Sequence, residues 1–257
     1  MSIAASDLKF YQSASMPEND TAASGGAINT AGAVEFTALA ANDAVGVVSS
    51  SASDTSAKSI DVTGRNPAGA IVTENILLNG TTRRAGATTF ERILKIVANG
   101  GMVGTLTIDR NTGGAVVATM PISNPPAIPS TVTSVRSVLY DSTADTIATV
   151  DRYELFYARN NHGSLTLNAA KVKLVADPSA KIKMALSTAK GDVASIANRL
   201  AVPPSISAFV DDGVSIDVPT GILAFGEYIG VWIKETLLPN DAAVRTTWTA
   251  ELNGSTT

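Results

Sequence analysis

The stretch "KSIDVTGRNPAGAIVTENILLNG", Lys58–Gly80, decides the fold class. In "KSIDVTG" the apolar Ile60 and Val62 alternate with polar Ser59, Asp61 and Thr63. A period of two puts one face of an extended chain on a core and the other in water. "NPAG" at Asn66–Gly69 and "NG" at Asn79–Gly80 supply residues that tolerate positive φ, so the run between them, "AIVTENILL", reads as a second strand turned back on the first. The same grammar continues through "FERILKIVA" and "GTLTIDR", punctuated by "NGG" at Asn99–Gly101 and "NTGG" at Asn111–Gly114. Residues 33–120 therefore read as a compact antiparallel sandwich or barrel.

Outward from there, "MPISNPPAIPSTV" holds Pro121, Pro125, Pro126 and Pro129. Proline withholds a ladder donor and biases its predecessor towards extended geometry, so this stretch reads as a semi-rigid connector at a domain boundary. Beyond it, "RYELFYARN", "SLTLNAAKVKLVA", "AKIKMALS", "VSIDVP", "YIGVWIKETLL" and "AVRTTWTAEL" again have strand character, with "NNHG" and "DDG" as turns. "GDVASIANRL", residues 191–200, is the best helix candidate: Asp192 as N-cap and Val193, Ile196, Ala197 and Leu200 at i, i+3, i+4 and i+7. A loop with a short helical turn is the alternative there. The fold expected is all-β, with two antiparallel β-sandwich domains of immunoglobulin-like or jelly-roll-like type.

Composition narrows function by exclusion. Aromatics are 5% and charged residues 16%, so the core must be built from small and β-branched side chains. With no cysteine, disulfides, thiolate metal sites and cysteine nucleophiles are excluded. A net charge of −4, with charges scattered singly, gives no field attractive to nucleic acid. The start "MSIAASDLKFY" has no basic region followed by a long apolar run, and no stretch approaches the roughly 18 uninterrupted apolar residues of a membrane helix. A soluble protein made in the cytoplasm is expected.

No constellation for catalysis emerges. The single histidine, His162, sits in the turn "ARNNHGS" and reads as a surface turn residue rather than a general base. Asp141, Asp145 and Asp151, and again Asp211, Asp212 and Asp217, cluster loosely, but "DDGVSID" lacks the regular spacing and terminal glutamate of an EF-hand loop. The glycine pairs Gly25-Gly26 and Gly100-Gly101 match no phosphate-binding pattern. Arg83-Arg84 could hold an anion across an interface or stand solvated beside a hairpin turn. Trp232 and Trp248, in a chain with so few rings, read as core anchors, with an interface role as the alternative. No catalytic, cofactor-binding or metal-binding residue is nominated, and no cofactor is expected.

Two resemblances point to a role. "DLKFYQSASMPENDTAASGGAI", residues 7–28, resembles the start of a group of tailed-bacteriophage virion proteins, in which a short strand of the form I-K-x-Y-x-S leads into a polar turn and a Gly-Gly pair. Leu8, Lys9, Tyr11, Ser13, Gly25 and Gly26 carry it. In that group an aromatic-rich strand ending in Asn soon follows; here it is Tyr153–Asn160, about a hundred residues later. The interval suggests insertion: a β-domain of residues 33–125 inside a host domain of residues 1–32 and 130–257. The inserted part is itself similar to β-sandwich modules of phage structural proteins, through Asn66, Gly69, Thr73, Glu74, Leu78, Asn79, Gly80, Phe90 and Ile93.

The resemblance implies a non-enzymatic virion protein, a homo-oligomer at the head-tail neck or collar or on the capsid surface. Its partners would be copies of itself and portal, connector or major capsid subunits, with no membrane and no direct nucleic-acid contact. Residues 14–32, soft and polar, would then be a mobile arm or the linker feeding the inserted domain. One rival is a tail-fibre-type receptor- or carbohydrate-binding module, which predicts an exposed aromatic platform. Another is a β-sandwich glycosidase, which predicts a carboxylate pair that the scattered acids do not supply.

Overall fold

The computed structural model describes residues 2–35, 37–121, 132–139, 145–241 and 248–256. The chain is all-β: among the described residues there is no α-helix, only two single 3₁₀ turns at Ala5–Asp7 and Pro219–Gly221. It divides into two compact units, one of Met1–Asn29, Pro125–Ile128 and Val138–Thr257, the other of Thr30–Asn124 and Pro129–Ser137. Pro125, Pro126, Pro129 and Asp141 lie outside the described residues.

The first unit opens with β1 (Leu8–Ser15) and β2 (Ser24–Ala33), the last residues of β2 passing into the second unit. The second unit continues with β3 (Val45–Ser49), β4 (Ser59–Arg65), β5 (Ile71–Leu77), β6 (Arg84–Ala85), β7 (Arg92–Asn99), β8 (Leu106–Arg110), β9 (Val116–Met120) and β10 (Ser134–Arg136). These form two layers. One has the order β10-β7-β4-β5, with the end of β2 pairing in parallel to β10, and the other the order β6-β3-β8-β9. One apolar cluster joins them: Ile60, Val62 and Ile96 from the first layer meet Val47, Ile108 and Met120 from the second, with Phe90 wholly buried between strands. That is a β-sandwich core, assembled from β-branched and aliphatic side chains as the composition requires.

The alternation read at Ile60 and Val62 is realised, both at 0% exposure. Asn66 makes the β4–β5 turn by accepting the amides of Ala68 and Ala70 on Oδ1, while Gly69 takes φ of 83°. The two strands then pair without interruption from Ser59↔Leu77 to Arg65↔Ile71.

The chain returns to the first unit with β11 (Val150–Asn160), β12 (Leu167–Ala176), β13 (Ile182–Leu186), β14 (Ser195–Ile196), β15 (Ser215–Asp217), β16 (Ile222–Leu223), β17 (Tyr228–Leu237) and β18 (Thr249–Ser255). One sheet runs β13-β17-β11-β1-β2, with β14 on β2; in the other, β12 pairs with β15, β16 and β18. β11 is the central strand, paired to β1 from Leu8↔Asn160 and to β17 across ten residue pairs from Val150↔Leu237. One of its faces packs Tyr153, Leu155 and Tyr157 with Ala185, Ile196 and Trp232. On the opposite face Phe156 stacks edge-on to Phe10 and lies 6.1 Å from Trp248, which leads into β18 of the second sheet.

Two expectations are corrected here. Residues 191–200 are not a helix. Gly191 takes φ of 70°, Asp192 Oδ1 accepts the Ala194 amide, and Ser195–Ile196 pair as β14 with Ser24 and Gly25. The apparent helical stripe is not a face, since Ile196 is buried whereas Val193 and Leu200 are about half exposed. A side chain closing a local turn and a strand partner far away in sequence outweigh a weak helical period.

Nor is the soft segment 14–32 a mobile arm. It is the turn and second strand of the β1–β2 connection, with Pro17, Ser24 and Gly25 buried. Gly25 has φ of 108°, and a Cβ there would sit 2.4 Å from the Ala194 carbonyl oxygen, so only glycine lets β14 approach. The Tyr157 hydroxyl ties the same place together, pointing at the carbonyls of Gly26 and Asp192. Burial, with Tyr228 and Asp192 nearby, pushes its pKa well above the usual range, so it stays a neutral donor.

Candidate functional site

In the second unit β5 ends one layer of the sandwich and β6 ends the other. Beside them runs a groove of about 490 Å³ lined by residues 74–77 and 83–85. Its walls are fixed by side chains that reach between strands. Glu74 accepts the amides of Ala87 (2.6 Å) and Thr88 (3.0 Å), binding the segment after β6 to β5. Gly86 has no room for a side chain, because a Cβ would meet Glu74 Oε2, Ile76 and the Val45 carbonyl within 2.8 Å.

Arg83 forms the other wall. Its Nε donates to both carboxylate oxygens of Asp109, at 2.8 and 3.0 Å, and Nη2 donates to Asn111 Oδ1 at 2.7 Å. The guanidinium occupies the place where a Gly46 Cβ would stand. The hydrogen bond and charge of Asp109 raise the Arg83 pKa above its already high ordinary value. The Arg83-Arg84 pair therefore divides: Arg83 is committed to its own chain, while Arg84 is exposed in β6 with no ion pair among the described residues.

The outer face of the same sheet carries a polar ladder. Asn75 Nδ2 donates to Asp61 Oδ1 at 2.7 Å, Asn99 Nδ2 to Asp61 Oδ2 at 2.8 Å, and the Thr63 and Thr73 hydroxyls are 2.8 Å apart. Three strands are thus cross-linked through exposed side chains, each contact adding a few tenths of a kcal/mol up to about 1.

In the first unit the polar constellation lies at the β1–β2 turn. Asp20 receives Arg152 Nε and Nη2, both at 2.8 Å, and Arg199 Nε and Nη2 at 3.0 and 2.6 Å. The two arginine side chains are 4% and 1% exposed and share the Asp20 carboxylate, and Glu235, 1% exposed, lies 3.8 Å from Arg152 as a second acid. Burial alone would raise the Asp20 pKa, but the hydrogen bonds and charges of Arg152 and Arg199 outweigh it and hold the carboxyl below its usual range.

Comparison with family models, curated proteins and solved structures returned no match. The reading of the site therefore rests on its geometry. His162 closes a turn: its Nδ1 accepts the amides of Ser164 and Leu165, and its own amide donates to Asn160 Oδ1. The acids singled out in the sequence do not converge. Asp145 caps Ile147 and Ala148, Asp151 pairs with Lys234, Asp211 with Lys183 and Asp217 with Lys171, and Asp212 accepts the Asp177 amide. Among the described residues no group of three or more His, Asp or Glu is placed to hold a metal. Trp232 is wholly buried between β11 and β13, and Trp248 lies against Phe156.

Asp20, Asp54, Arg152 and Arg199 were not singled out from sequence. The partners of Asp20 lie far along the chain, and Asp54, though Ser49 and Lys58 are near it in sequence, also holds the amides of Val103 and Gly104 some fifty residues on.

Proposed function

We propose that this chain is a non-enzymatic structural protein of a tailed-phage virion, assembling as a homo-oligomer at the head-tail neck or collar or on the capsid surface. The observation that carries the reading is where its charged side chains go. Asp20, Asp43, Asp54, Asp109 and Asp151 are each spent on bracing a loop or strand of a β-sandwich with an Arg or Lys of the same chain. Apolar side chains meanwhile stand in solvent on strands and loops, among them Ile71, Leu77, Val116, Val202 and Leu238. A rigid frame with exposed apolar positions suits mating with copies of itself and with portal, connector or capsid subunits.

Immunogold labelling of phage particles that carry the protein tests this. Gold at the head-tail junction supports a neck or collar protein, and gold over the head a decoration protein. Label at the distal tail replaces both with a receptor- or carbohydrate-binding role, and unlabelled particles overturn the virion reading.

The second unit is, on the same reading, a domain inserted into the first. An inserted domain folds alone. A fragment of residues 30–137 is expected to give a single cooperative unfolding transition in far-UV circular dichroism. A fragment that shows no transition removes the insertion.

A further inference from the structure

The homo-oligomer of the proposed function needs a contact surface, and the inference here rests on that reading. We propose that β5 is the self-association edge: two copies of this chain pair β5 antiparallel about a two-fold axis at Glu74, extending one sheet of the sandwich into its partner.

The first support is the direction of the backbone. The Leu78 amide donates to the Lys58 carbonyl and the Asn66 amide to the Ala70 carbonyl, and the register between them is unbroken. In an antiparallel ladder hydrogen-bonded pairs alternate with non-bonded ones. Val72, Glu74 and Ile76 therefore turn their N–H and C=O groups towards β4, whereas those of Ile71, Thr73, Asn75 and Leu77 face away. No described strand lies on that side, because β5 ends its sheet.

The second is that no described strand pairs with this edge, the segment after β6 reaching β5 through the Glu74 side chain, beside the groove. Sheets protect long edges with charged side chains, lysine above all, with proline, bulges or a covering segment. The outer edge of β13, for comparison, is covered by the bridges Met184↔Val210 and Ser187↔Ile206. β5 has seven residues, neither lysine nor proline, and no register shift. Its one charged side chain, Glu74, is turned onto the amides of Ala87 and Thr88.

The third commits the occupant. The strand Ile-Val-Thr-Glu-Asn-Ile-Leu is symmetric in character about Glu74: Thr73 and Asn75 are polar, Val72 and Ile76 apolar, and Ile71 and Leu77 apolar and exposed at 48% and 44%. A closed two-fold contact requires such self-complementarity. The register centred on Glu74 is the one that overlaps all seven residues. It sets Ile71 against Leu77 of the second copy and Thr73 against Asn75, so outward N–H and C=O groups meet, and it covers both exposed apolar side chains. The two Glu74 residues, opposite each other at the axis, have their carboxylates bound by the Ala87 and Thr88 amides of their own chains.

The chain has no cysteine, so a single introduced thiol reports the register without background. In the full chain, Glu74→Cys places two thiols at a non-hydrogen-bonded pair with Cα atoms about 4.5 Å apart, within disulfide reach. Mild oxidation is expected to give a covalent dimer. Sedimentation of the thiol-free chain is expected to show a dimer whose Kd rises by roughly a hundredfold in the double variant Ile71→Lys/Leu77→Lys, which loses both apolar pairs and sets like charges along the edge. These side chains stand in solvent, so the protomer keeps its fold, which circular dichroism checks. A dimer indifferent to the two lysines and no cross-link through Glu74→Cys overturns the β5 contact while leaving the oligomer in place. A chain monomeric at every concentration overturns it as well, and labelled particles would then still uphold the virion reading.

Discussion

Asp20→Ala is expected to destabilise the first unit by about 2–3 kcal/mol, short of the roughly 3–5 kcal/mol for breaking a fully buried ion pair because Asp20 is 30% exposed and Arg152 keeps Glu235. The size follows from what remains. Arg152 and Arg199, 4% and 1% exposed, would lose the carboxylate they share, with Glu235 still 3.8 Å from Arg152. Asp20→Asn, which keeps the shape but not the charge, is expected to recover little. Both tryptophans, Trp232 and Trp248, lie in this unit, so tryptophan fluorescence reports it directly. The expected result is a fall in the urea midpoint of that signal by at least about 1 M. An unchanged midpoint would mean that the cluster is solvated and contributes nothing.

The second large effect belongs to Asp54, a wholly buried aspartate in the loop between β3 and β4. Its carboxylate accepts Ser49 Oγ at 2.6 Å, Lys58 Nζ at 2.7 Å, and the amides of Val103 and Gly104 at 2.9 and 2.8 Å. It thereby pins the β3–β4 loop to the β7–β8 loop. Asp54→Ala strands a partly buried ammonium and two amides, and a loss of about 3–4 kcal/mol is expected. The second unit contains no tryptophan, so the loss should appear in far-UV circular dichroism while the tryptophan transition stays in place.

The same residue sets an acid response. Burial would raise the Asp54 pKa, but Lys58, Ser49 and the two amides outweigh it and carry it far below the usual carboxylate range. A carboxyl whose folded pKa is depressed contributes its stability in full above its unfolded value. That contribution drains as pH falls from about 4 through the folded value. Wild-type stability should therefore decline below about pH 4, and the Asp54→Ala protein should decline less steeply over the same interval. Parallel curves for the two proteins would exclude Asp54 as a source of the acid response.

These residues also mark the boundary of what the sequence reveals. Strands β4, β5, β7, β8 and β13 are legible because their period and turn residues are local: Ile60 and Val62, Asn66 and Gly69, and Ile182, Met184 and Leu186 each do what their neighbours predict. The helix at 191–200 fails because Ser195 and Ile196 are claimed by Ser24 and Gly25, a pairing that no local pattern announces. Asp20 fails for the same reason, since its arginines lie 132 and 179 residues away along the chain. The palindromic character of β5 can be read directly, but its place at the end of a sheet is topology. Thr73 and Asn75 look like ordinary solvent-facing residues until the strand order shows no described strand beyond them.

The pairing of β1 with β11 also fixes an order of events during synthesis. Leu8 meets Asn160, so β1 must wait for a strand made about 150 residues later. At roughly 5–20 residues per second that interval is about 8–30 s. Every strand of the second unit, through β10 at Arg136, has been translated before β11 begins at Val150. The nascent chain thus presents a finished set of sandwich strands in its middle while β1, eight residues long, still lacks its β11 partner. Slower translation across residues 137–160 would lengthen the interval in which β1 lacks this partner.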